Sequence, residues 1–172
     1  MLNIFNNDID EIIDNLYLGN LEAAKNVTKL KELGIKKVLS VLEGYWPEYK
    51  EDDHISHKII NITDYSNINI IKYFGECLNF IKGNEKVLVH CYAGSSRSAS
   101  IVIAYLMWTK KMSFKEALNF VHDKRSNVYP NNGFRDQLQI FEKELIEKNY
   151  DINKIKFEEI KWEPNEKNWL IK

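Results

Sequence analysis

Residues 87–100 read Val-Leu-Val-His-Cys-Tyr-Ala-Gly-Ser-Ser-Arg-Ser-Ala-Ser, and this stretch joins the two patterns that decide the fold. The continuous apolar run at 87–89 is typical of a strand that is buried on both faces. From 98 to 108 the chain is mostly apolar and reads as a helix. A strand that leads through a short loop into a helix is typical of α/β domains, so we predict an α/β fold.

The loop between this strand and this helix has the composition of an anion-binding site. Gly94 lets the backbone curl without a Cβ clash, and its small neighbours leave the centre of the curl open. Backbone N–H groups can then converge on one tetrahedral oxyanion, beside the unpaired N–H groups of the first helical turn. Arg97 is one of only three arginines, and its planar fork suits two phosphate oxygens. The predicted phosphate-binding loop is Tyr92, Ala93, Gly94, Ser95, Ser96 and Arg97.

Cys91 stands at the bottom of the same loop, directly after the strand. The thiolate is the nucleophilic form of cysteine, and convergent amides, a helix N-terminus and Arg97 all favour it. The residues therefore predict attack of sulfur on a bound phosphorus, followed by hydrolysis of the thiophosphate by water. This chemistry depends mainly on positioning and charge stabilisation. The sequence contains no cluster of metal ligands, so we expect neither a metal nor another cofactor.

The segment from His90 to Ser98 resembles the His-Cys-x5-Arg-Ser motif of the cysteine-dependent protein phosphatases. Its flanks are similar to those of the dual-specificity branch of that superfamily. The resemblance extends from Ile12 to Leu145 and includes the segments Tyr17-Leu-Gly-Asn20 and Pro130-Asn-Asn-Gly-Phe134. It implies the tyrosine phosphatase-like fold and the hydrolysis of phosphotyrosine and phosphoserine/threonine monoesters on proteins.

The resemblance also implies a role for each matching residue. Cys91 would be the nucleophile, and Arg97 would bind phosphate and stabilise the transition state. Ser98 would donate its hydroxyl to the sulfur and ease breakdown of the intermediate. His90 would shape the loop by hydrogen bonding, and Asn131 would support the loop.

The family uses an aspartate on a loop after a strand to protonate the leaving group. Asp64, in Ile60-Asn-Ile-Thr-Asp-Tyr65, follows an apolar strand and precedes a helix, and it matches that position. The same carboxylate would act as a general base on water in the second step. Asp52 and Asp53 are competing carboxylates, but no strand leads directly into their polar loop.

The rest of the chain shows alternating strand and helix patterns around this loop. We predict strands over 12–18 (broken near residues 14–15), 35–41, 57–62 and 87–89, helices over 21–33, 70–81, 98–108, 114–121 and 134–145, a loop over 43–56 and a turn at 131–133. These elements predict a single domain with a central, mostly parallel, twisted sheet flanked by helices. The catalytic domain would span residues 1–149. Residues 150–172 would form a C-terminal tail that carries Phe157, Trp162 and Trp169 and docks on the domain, with a dimer contact as the second interpretation of Trp162 and Trp169.

Composition narrows the class of protein. The 172 residues carry a net charge of −1, which makes no general electrostatic case for nucleic-acid or membrane binding. Two cysteines form neither a disulfide framework nor a zinc set, and no secretory signal is visible at the N-terminus. We therefore expect a reducing intracellular compartment, the cytoplasm, with the nucleus as a second location. The expected partners are phosphorylated proteins, and we favour a monomer.

Two other functions stay open at this point. The same chemistry could act on a non-protein phosphate such as a phosphoinositide, an RNA 5′ end or a phosphorylated glucan. The loop carries no Lys, whereas relatives that act on phosphoinositides tend to have one there. Alternatively, the chain could be a phosphate-binding scaffold without turnover. The presence of Cys91, Arg97 and Asp64 argues against a scaffold.

Several single residues also have two interpretations. Cys77 could trap Cys91 as a disulfide, but its position on an apolar helix face favours core packing. The aromatic residues of the loop at 45–49 could frame the substrate cleft or pack locally. Arg125 and Arg135 could form a second anion site, although solvated or structural roles are the better interpretation.

Overall fold

The computed structural model describes residues 7–164, and these residues form a five-stranded sheet. The strands are β1 (Ile9–Ile13), β2 (Leu16–Gly19), β3 (Ile35–Val41), β4 (Ser56–Ile60) and β5 (Lys86–His90). They lie in the order β1-β2-β5-β3-β4, with β1 antiparallel to β2 and the other neighbouring pairs parallel. The prediction of a mostly parallel sheet is confirmed.

Strand β5 lies at the centre of the sheet because its side chains are apolar on both faces. Val87 and Val89 belong to the larger hydrophobic cluster, and Leu88 belongs to the smaller cluster on the opposite face. Parallel strands bring their C-terminal ends to one edge of the sheet, and ligands bind there in open α/β sheets. The loops that follow β3, β4 and β5 therefore meet at the edge where the Cys91 loop begins.

Helices cover both faces of the sheet. They are α1 (Leu21–Lys25), α2 (Val27–Leu33), α3 (Phe74–Ile81), α4 (Arg97–Thr109), α5 (Phe114–Lys124) and α6 (Asn132–Glu147). Helices α3 to α6 supply the larger hydrophobic cluster, and α1 and α2 supply the smaller one. Ser113 and Glu116 form a capping box at the start of α5, and Gly34 follows α2 in a left-handed conformation (φ 76°). None of the helices within residues 7–164 is both long and apolar enough to span a bilayer.

The prediction of one helix over 21–33 is wrong, because the structure divides this segment at Asn26. The Asn26 side chain accepts a hydrogen bond from the backbone N–H of Lys29 at 3.1 Å. It therefore caps α2, and its own backbone N–H closes the last turn of α1. An asparagine side chain can form such a local hydrogen bond in place of the backbone hydrogen bonds of a helix. It can therefore divide a helix even where the apolar residues on either side keep the helical spacing.

The prediction of a turn at 131–133 is also wrong. Asn131 is the N-cap of α6, and its side chain accepts a hydrogen bond from the backbone N–H of Phe134 at 2.9 Å. Asn132 and Gly133 are already helical. Asn-Gly sequences are typical of turns, but the same side-chain chemistry starts a helix when a periodic apolar face follows.

Two other predicted boundaries shift. Strand β4 covers 56–60 rather than 57–62, and the chain then leaves the sheet towards the Cys91 loop. The helix predicted over 70–81 begins as a 3-10 turn at Ile71–Tyr73 and becomes α-helical at Phe74. The backbone N–H of Ile71 donates to the Gln137 side chain at 3.0 Å, so α6 supplies a tertiary partner for the start of this segment.

The segment that follows α6 packs on the domain as far as the structure describes it. Ile152, Ile155 and Phe157 are buried in the larger cluster. The Phe157 ring lies 5.9 Å from the Phe141 ring, and a Cβ on Gly75 would stand only 2.7 Å from it. Trp162 is half-buried, and Trp169 lies outside the described residues.

Candidate active site

Cys91 follows directly after β5 and is almost fully buried at the base of the loop that leads to α4. The backbone N–H of Gly94 donates to its Sγ at 3.2 Å, and the Ser98 hydroxyl donates to it at 3.0 Å. Donated hydrogen bonds stabilise a negatively charged acceptor more than a neutral one. The sulfur atom of Cys91 therefore has two hydrogen-bond donors at the base of the loop.

The curl of the loop depends on Gly94, whose φ is 66°. A Cβ there would stand 2.5 Å from the carbonyl oxygen of Gly19, at the end of β2. The start of α1 also holds the loop, because the backbone N–H of Leu21 donates to the Tyr92 carbonyl at 3.1 Å. The Tyr17–Asn20 motif therefore supports the outer side of the loop.

Arg125 is the main support of the loop, and sequence reasoning did not assign it that position. Its side chain is 1% exposed and forms an ion pair with Asp10 of β1 at 2.7 Å. Its Nε donates to the Gly94 carbonyl at 3.0 Å, and its Nη2 donates to the Ala93 carbonyl at 3.1 Å. These bonds hold two carbonyls away from the centre of the curl, where anions require N–H groups. The structural interpretation is therefore correct for Arg125, which is fully engaged by protein groups.

Replacement of Arg125 by Met should lower the free energy of unfolding by about 3 kcal/mol, because it leaves the Asp10 carboxylate without its charge partner and removes the donor to the Gly94 and Asn7 carbonyls. Urea denaturation followed by circular dichroism measures the loss. The matched control is Arg135→Met, since Arg135 is half-buried and stacks on the Tyr129 ring at 5.2 Å. Equal, small losses in both variants would show that the buried ion pair does not support the loop.

Arg97 begins α4 at the far end of the loop. Its Nη1 donates to the Ile62 carbonyl at 3.1 Å, which orients the guanidinium from the loop that follows β4. Its Nε is buried and has no hydrogen-bond partner within the described part of the chain. A buried donor that lacks a protein acceptor is unusual, and at the mouth of an anion-binding loop it suits an oxyanion ligand.

Asp64 lies against the loop, as the sequence predicts for a proton donor. The Ser96 hydroxyl donates to Asp64 Oδ1 at 2.7 Å, and Asn131 Nδ2 donates to the same oxygen at 2.8 Å. The backbone N–H of Asn131 in turn donates to Ser96 Oγ at 2.9 Å. Both side-chain bonds use Oδ1, so Oδ2 is the oxygen available to carry a proton.

The start of α6 positions the segment that carries Asp64. A Cβ on Gly133 would stand only 1.9 Å from the backbone carbonyl oxygen of Ser66, so this contact requires glycine. Asn131 and Gly133 therefore act on the Asp64 segment, whereas the sequence predicts that Asn131 supports the phosphate-binding loop. The structure shows that Asn131 contacts both, through Ser96 and Asp64.

His90 lies beneath the loop and is fully buried. Its Nδ1 is 3.0 Å from the Cys91 carbonyl oxygen, and its Nε2 contacts the Ser40 hydroxyl of β3. Burial lowers the pKa of the His90 imidazole to about 4, so the ring is neutral at physiological pH. The ring can therefore shape the loop through hydrogen bonds without adding charge to it.

The competing candidates lie elsewhere. Asp53 forms an ion pair with Lys31 at 2.6 Å, and that hydrogen bond lowers the pKa of its carboxyl group. Cys77 is fully buried on α3, where burial raises the pKa of its thiol and favours core packing. Tyr45, Trp46 and Tyr49 line a separate cavity of about 450 Å³ against α1 and α2. The hydroxyl of Tyr49 donates to the Ala24 carbonyl at 2.7 Å, which favours local packing.

Three exposed tyrosines lie beside the loop, and sequence reasoning missed two of them. Tyr92 belongs to the loop itself, Tyr65 follows Asp64, and Tyr129 donates its backbone N–H to the Ser95 carbonyl at 2.8 Å. These three residues are 65–70% exposed. Exposed aromatic side chains around a site are typical of surfaces that bind other polypeptides. No periodic pattern marks them in the sequence, because they come from three separate segments.

The sequence of this chain is similar to those of known proteins. The family model of the dual specificity phosphatase catalytic domain matches residues 16–144. Dual specificity protein phosphatase 1B of Arabidopsis thaliana is 40% identical over 142 residues, which cover 80% of this chain and 84% of that protein. MAP kinase phosphatase with leucine-rich repeats protein 1 of Dictyostelium discoideum is 45% identical over 139 residues, or 79% of this chain and 16% of that protein.

A solved structure shows the same fold. The human tyrosine phosphatase-like serine/threonine/tyrosine-interacting protein superposes with a TM-score of 0.75 at 32% sequence identity, covering 80% of this chain and 97% of that chain. The match to the family model runs from the start of β2 into α6 and so includes the segment that builds the loop. The chain therefore belongs to the dual specificity phosphatase family of protein phosphatases.

Proposed function

We propose that Cys91 is the nucleophile of a protein phosphatase that hydrolyses phosphotyrosine and phosphoserine/threonine through a cysteinyl-phosphate intermediate. One observation carries this proposal. The Cys91 sulfur receives two hydrogen bonds at the base of the loop, and Ser96 of the same loop donates a hydrogen bond to Asp64. The nucleophile and the proton donor of a phosphate ester hydrolysis therefore share one site.

In the first step, the Cys91 thiolate attacks phosphorus while the bond between phosphorus and the ester oxygen breaks. Arg97 and the loop amides bind the remaining phosphate oxygens and stabilise the charge of the transition state. Asp64 gives its proton to the departing oxygen, so that the leaving group is an alcohol or a phenol. The products of this step are the dephosphorylated substrate and phosphocysteine.

In the second step, water attacks the phosphorus of phosphocysteine. Asp64, now a carboxylate, takes a proton from this water, and the bond between sulfur and phosphorus breaks. The Ser98 hydroxyl, which donates to Sγ at 3.0 Å, stabilises the thiolate as it leaves. Inorganic phosphate departs, and both Cys91 and Asp64 return to their starting forms.

Phosphoproteins are better substrates for this site than the alternatives. The three exposed tyrosines around the loop offer contacts to a polypeptide next to its phosphorylated residue. The loop has no Lys, and lysine would be expected in a loop that binds the additional phosphates of an inositol lipid. We further propose action on signalling phosphoproteins in the cytoplasm or nucleus as a monomer, since a working thiol suits a reducing compartment.

The purified protein should release phosphate from phosphotyrosyl and phosphothreonyl peptides, and more slowly from a phosphoinositide in mixed micelles. Malachite green detection of phosphate under steady-state conditions measures both rates. The activity should survive a metal chelator, and it should be lost in peroxide and return with a thiol reductant, because a thiolate oxidises reversibly at the first stage. Release no faster than the buffer blank from every substrate would support a scaffold instead.

A further inference from the structure

Three side chains form a continuous hydrogen-bonded row across the sheet below the phosphate-binding loop. Nε2 of His57, on β4, is 2.7 Å from the Ser40 hydroxyl oxygen on β3. The same oxygen contacts Nε2 of His90, on β5, and Nδ1 of His90 is 3.0 Å from the Cys91 carbonyl oxygen. Ser40 and His90 are fully buried, so the row connects the half-buried His57 to the backbone of Cys91.

The direction of every hydrogen bond in this row follows from its last acceptor. A carbonyl oxygen can only accept, so His90 must carry its proton on Nδ1. His90 is neutral, and its Nε2 is then an acceptor that receives the Ser40 hydroxyl hydrogen. The Ser40 hydroxyl has one hydrogen, and it donates this hydrogen to His90. Its oxygen must therefore accept the hydrogen bond from His57, which requires a proton on Nε2 of His57. The row therefore runs in one direction, from His57 to the Cys91 carbonyl.

Without a donor at position 57, the hydrogen bonds of this row would no longer have to run from His57 to the Cys91 carbonyl. The Ser40 hydroxyl could then accept from His90, with the His90 proton on Nε2. In that tautomer the Nδ1 lone pair would face the Cys91 carbonyl oxygen, and a buried acceptor would lose its donor. The Cys91 carbonyl belongs to the same peptide unit as the Tyr92 N–H, so its hydrogen bond sets the plane of the first amide of the loop.

We propose that His57 is a positioning residue for the phosphate-binding loop, because its Nε2–H, acting through Ser40, fixes the tautomer of His90 that holds the Cys91 carbonyl. The Tyr49 ring packs edge-on against the His57 ring at 4.9 Å and keeps the imidazole in place. Only the activity readout of this inference depends on the proposed function, since the tautomer of His90 can be measured in an inactive protein.

A matched pair of variants separates the donor from the packing. Gln retains an N–H donor near the position of Nε2, whereas Leu has a similar volume and no donor. His57→Leu should lower kcat/KM for a phosphopeptide by about tenfold, mainly through kcat, as losses of groups that orient a reacting ligand generally do. His57→Gln should keep most of the wild-type value. Equal losses in the two variants at equal thermal stability, or no loss in either, would overturn the proposal.

A double-mutant cycle tests whether the effect passes through Ser40. Ser40→Ala removes the link, so His57→Leu should cost little more when it is added to Ser40→Ala. Fully additive losses would show that His57 acts by another route and would overturn the proposal.

The ring nitrogens of His90 give a direct readout that does not require catalysis. Two-bond ¹H–¹⁵N correlation spectra of the ¹⁵N-labelled protein distinguish the two imidazole tautomers. The wild-type protein and His57→Gln should show the His90 proton on Nδ1, and His57→Leu should show both tautomers. A wild-type His90 with its proton on Nε2, or an unchanged pattern in His57→Leu, would overturn the inference even if the protein is an active phosphatase.

Discussion

Replacement of Cys91 by Ser will remove turnover while phosphopeptide binding persists. A hydroxyl is close to a thiol in size, but it stays protonated at neutral pH and is a poor nucleophile. We expect kcat to fall by at least about 10⁴-fold, because loss of a nucleophile removes the covalent step altogether. Arg97 and the loop amides do not depend on the sulfur, so the groups that bind phosphate remain.

Two measurements on the Cys91→Ser variant separate these effects. Single-turnover phosphate release reports the chemical step, and isothermal titration calorimetry with an intact phosphotyrosyl peptide reports binding. The matched control is Cys77→Ala, which removes the other free cysteine from the core of α3. It should cost about 1–2 kcal/mol of unfolding free energy and leave kcat unchanged. If Cys91→Ser kept more than a few per cent of wild-type turnover, Cys91 would not be the nucleophile.

The centre of the site could be predicted from the sequence because it is local. Cys91, Arg97 and Ser98 lie within one short stretch, and a strand, a curl and a helix start are each visible in its residue types. Asp64 required one further step, because it comes from another strand whose C-terminal end lies at the same edge. The structure places Asp64 against Ser96 of that loop, in agreement with this step.

The supports of the loop could not be predicted because they depend on register across the sheet. Arg125 and Asp10 are 115 positions apart, and nothing in either segment points to the other. Ser40 and His90 face each other only because β3 and β5 pair in parallel with this register. Hydrophobic periodicity identifies a strand and its faces, but it does not identify which residue lies opposite on the neighbouring strand.

Some boundaries were missed for a local reason instead. Asparagine favours both turns and helix N-caps, and the two outcomes differ only in what the following residues bury. Asn26 interrupts a helical pattern that periodicity alone would continue, and Asn131 starts a helix where composition suggested a turn. In the second case the error concerned a site residue, since the cap also carries the amide that holds Asp64.

Replacement of Asp64 by Ala should lower kcat on a phosphoserine or phosphothreonine peptide by roughly 10²-fold or more, as loss of a general acid does. An alkoxide is a poor leaving group and needs the proton, whereas p-nitrophenolate leaves without one. The loss on p-nitrophenyl phosphate should therefore be much smaller. Vanadate binding should persist, because the loop and Arg97 provide it. Asp53→Ala is the control for the competing carboxylates, and it should leave both rates unchanged.

Asp64→Asn decides between proton transfer and support of the loop. Its side-chain carbonyl can still accept from Ser96 and Asn131, as Asp64 Oδ1 does, so the contacts within the site are kept. The amide has no acidic proton to give, however. If Asp64 is the general acid, the Asp64→Asn and Asp64→Ala variants should be equally slow on the phosphoserine or phosphothreonine peptide. The two variants should also bind vanadate with similar affinity. If Asp64 only holds the loop in place, Asn should be close to wild type on every substrate, and the proton donor must be sought elsewhere.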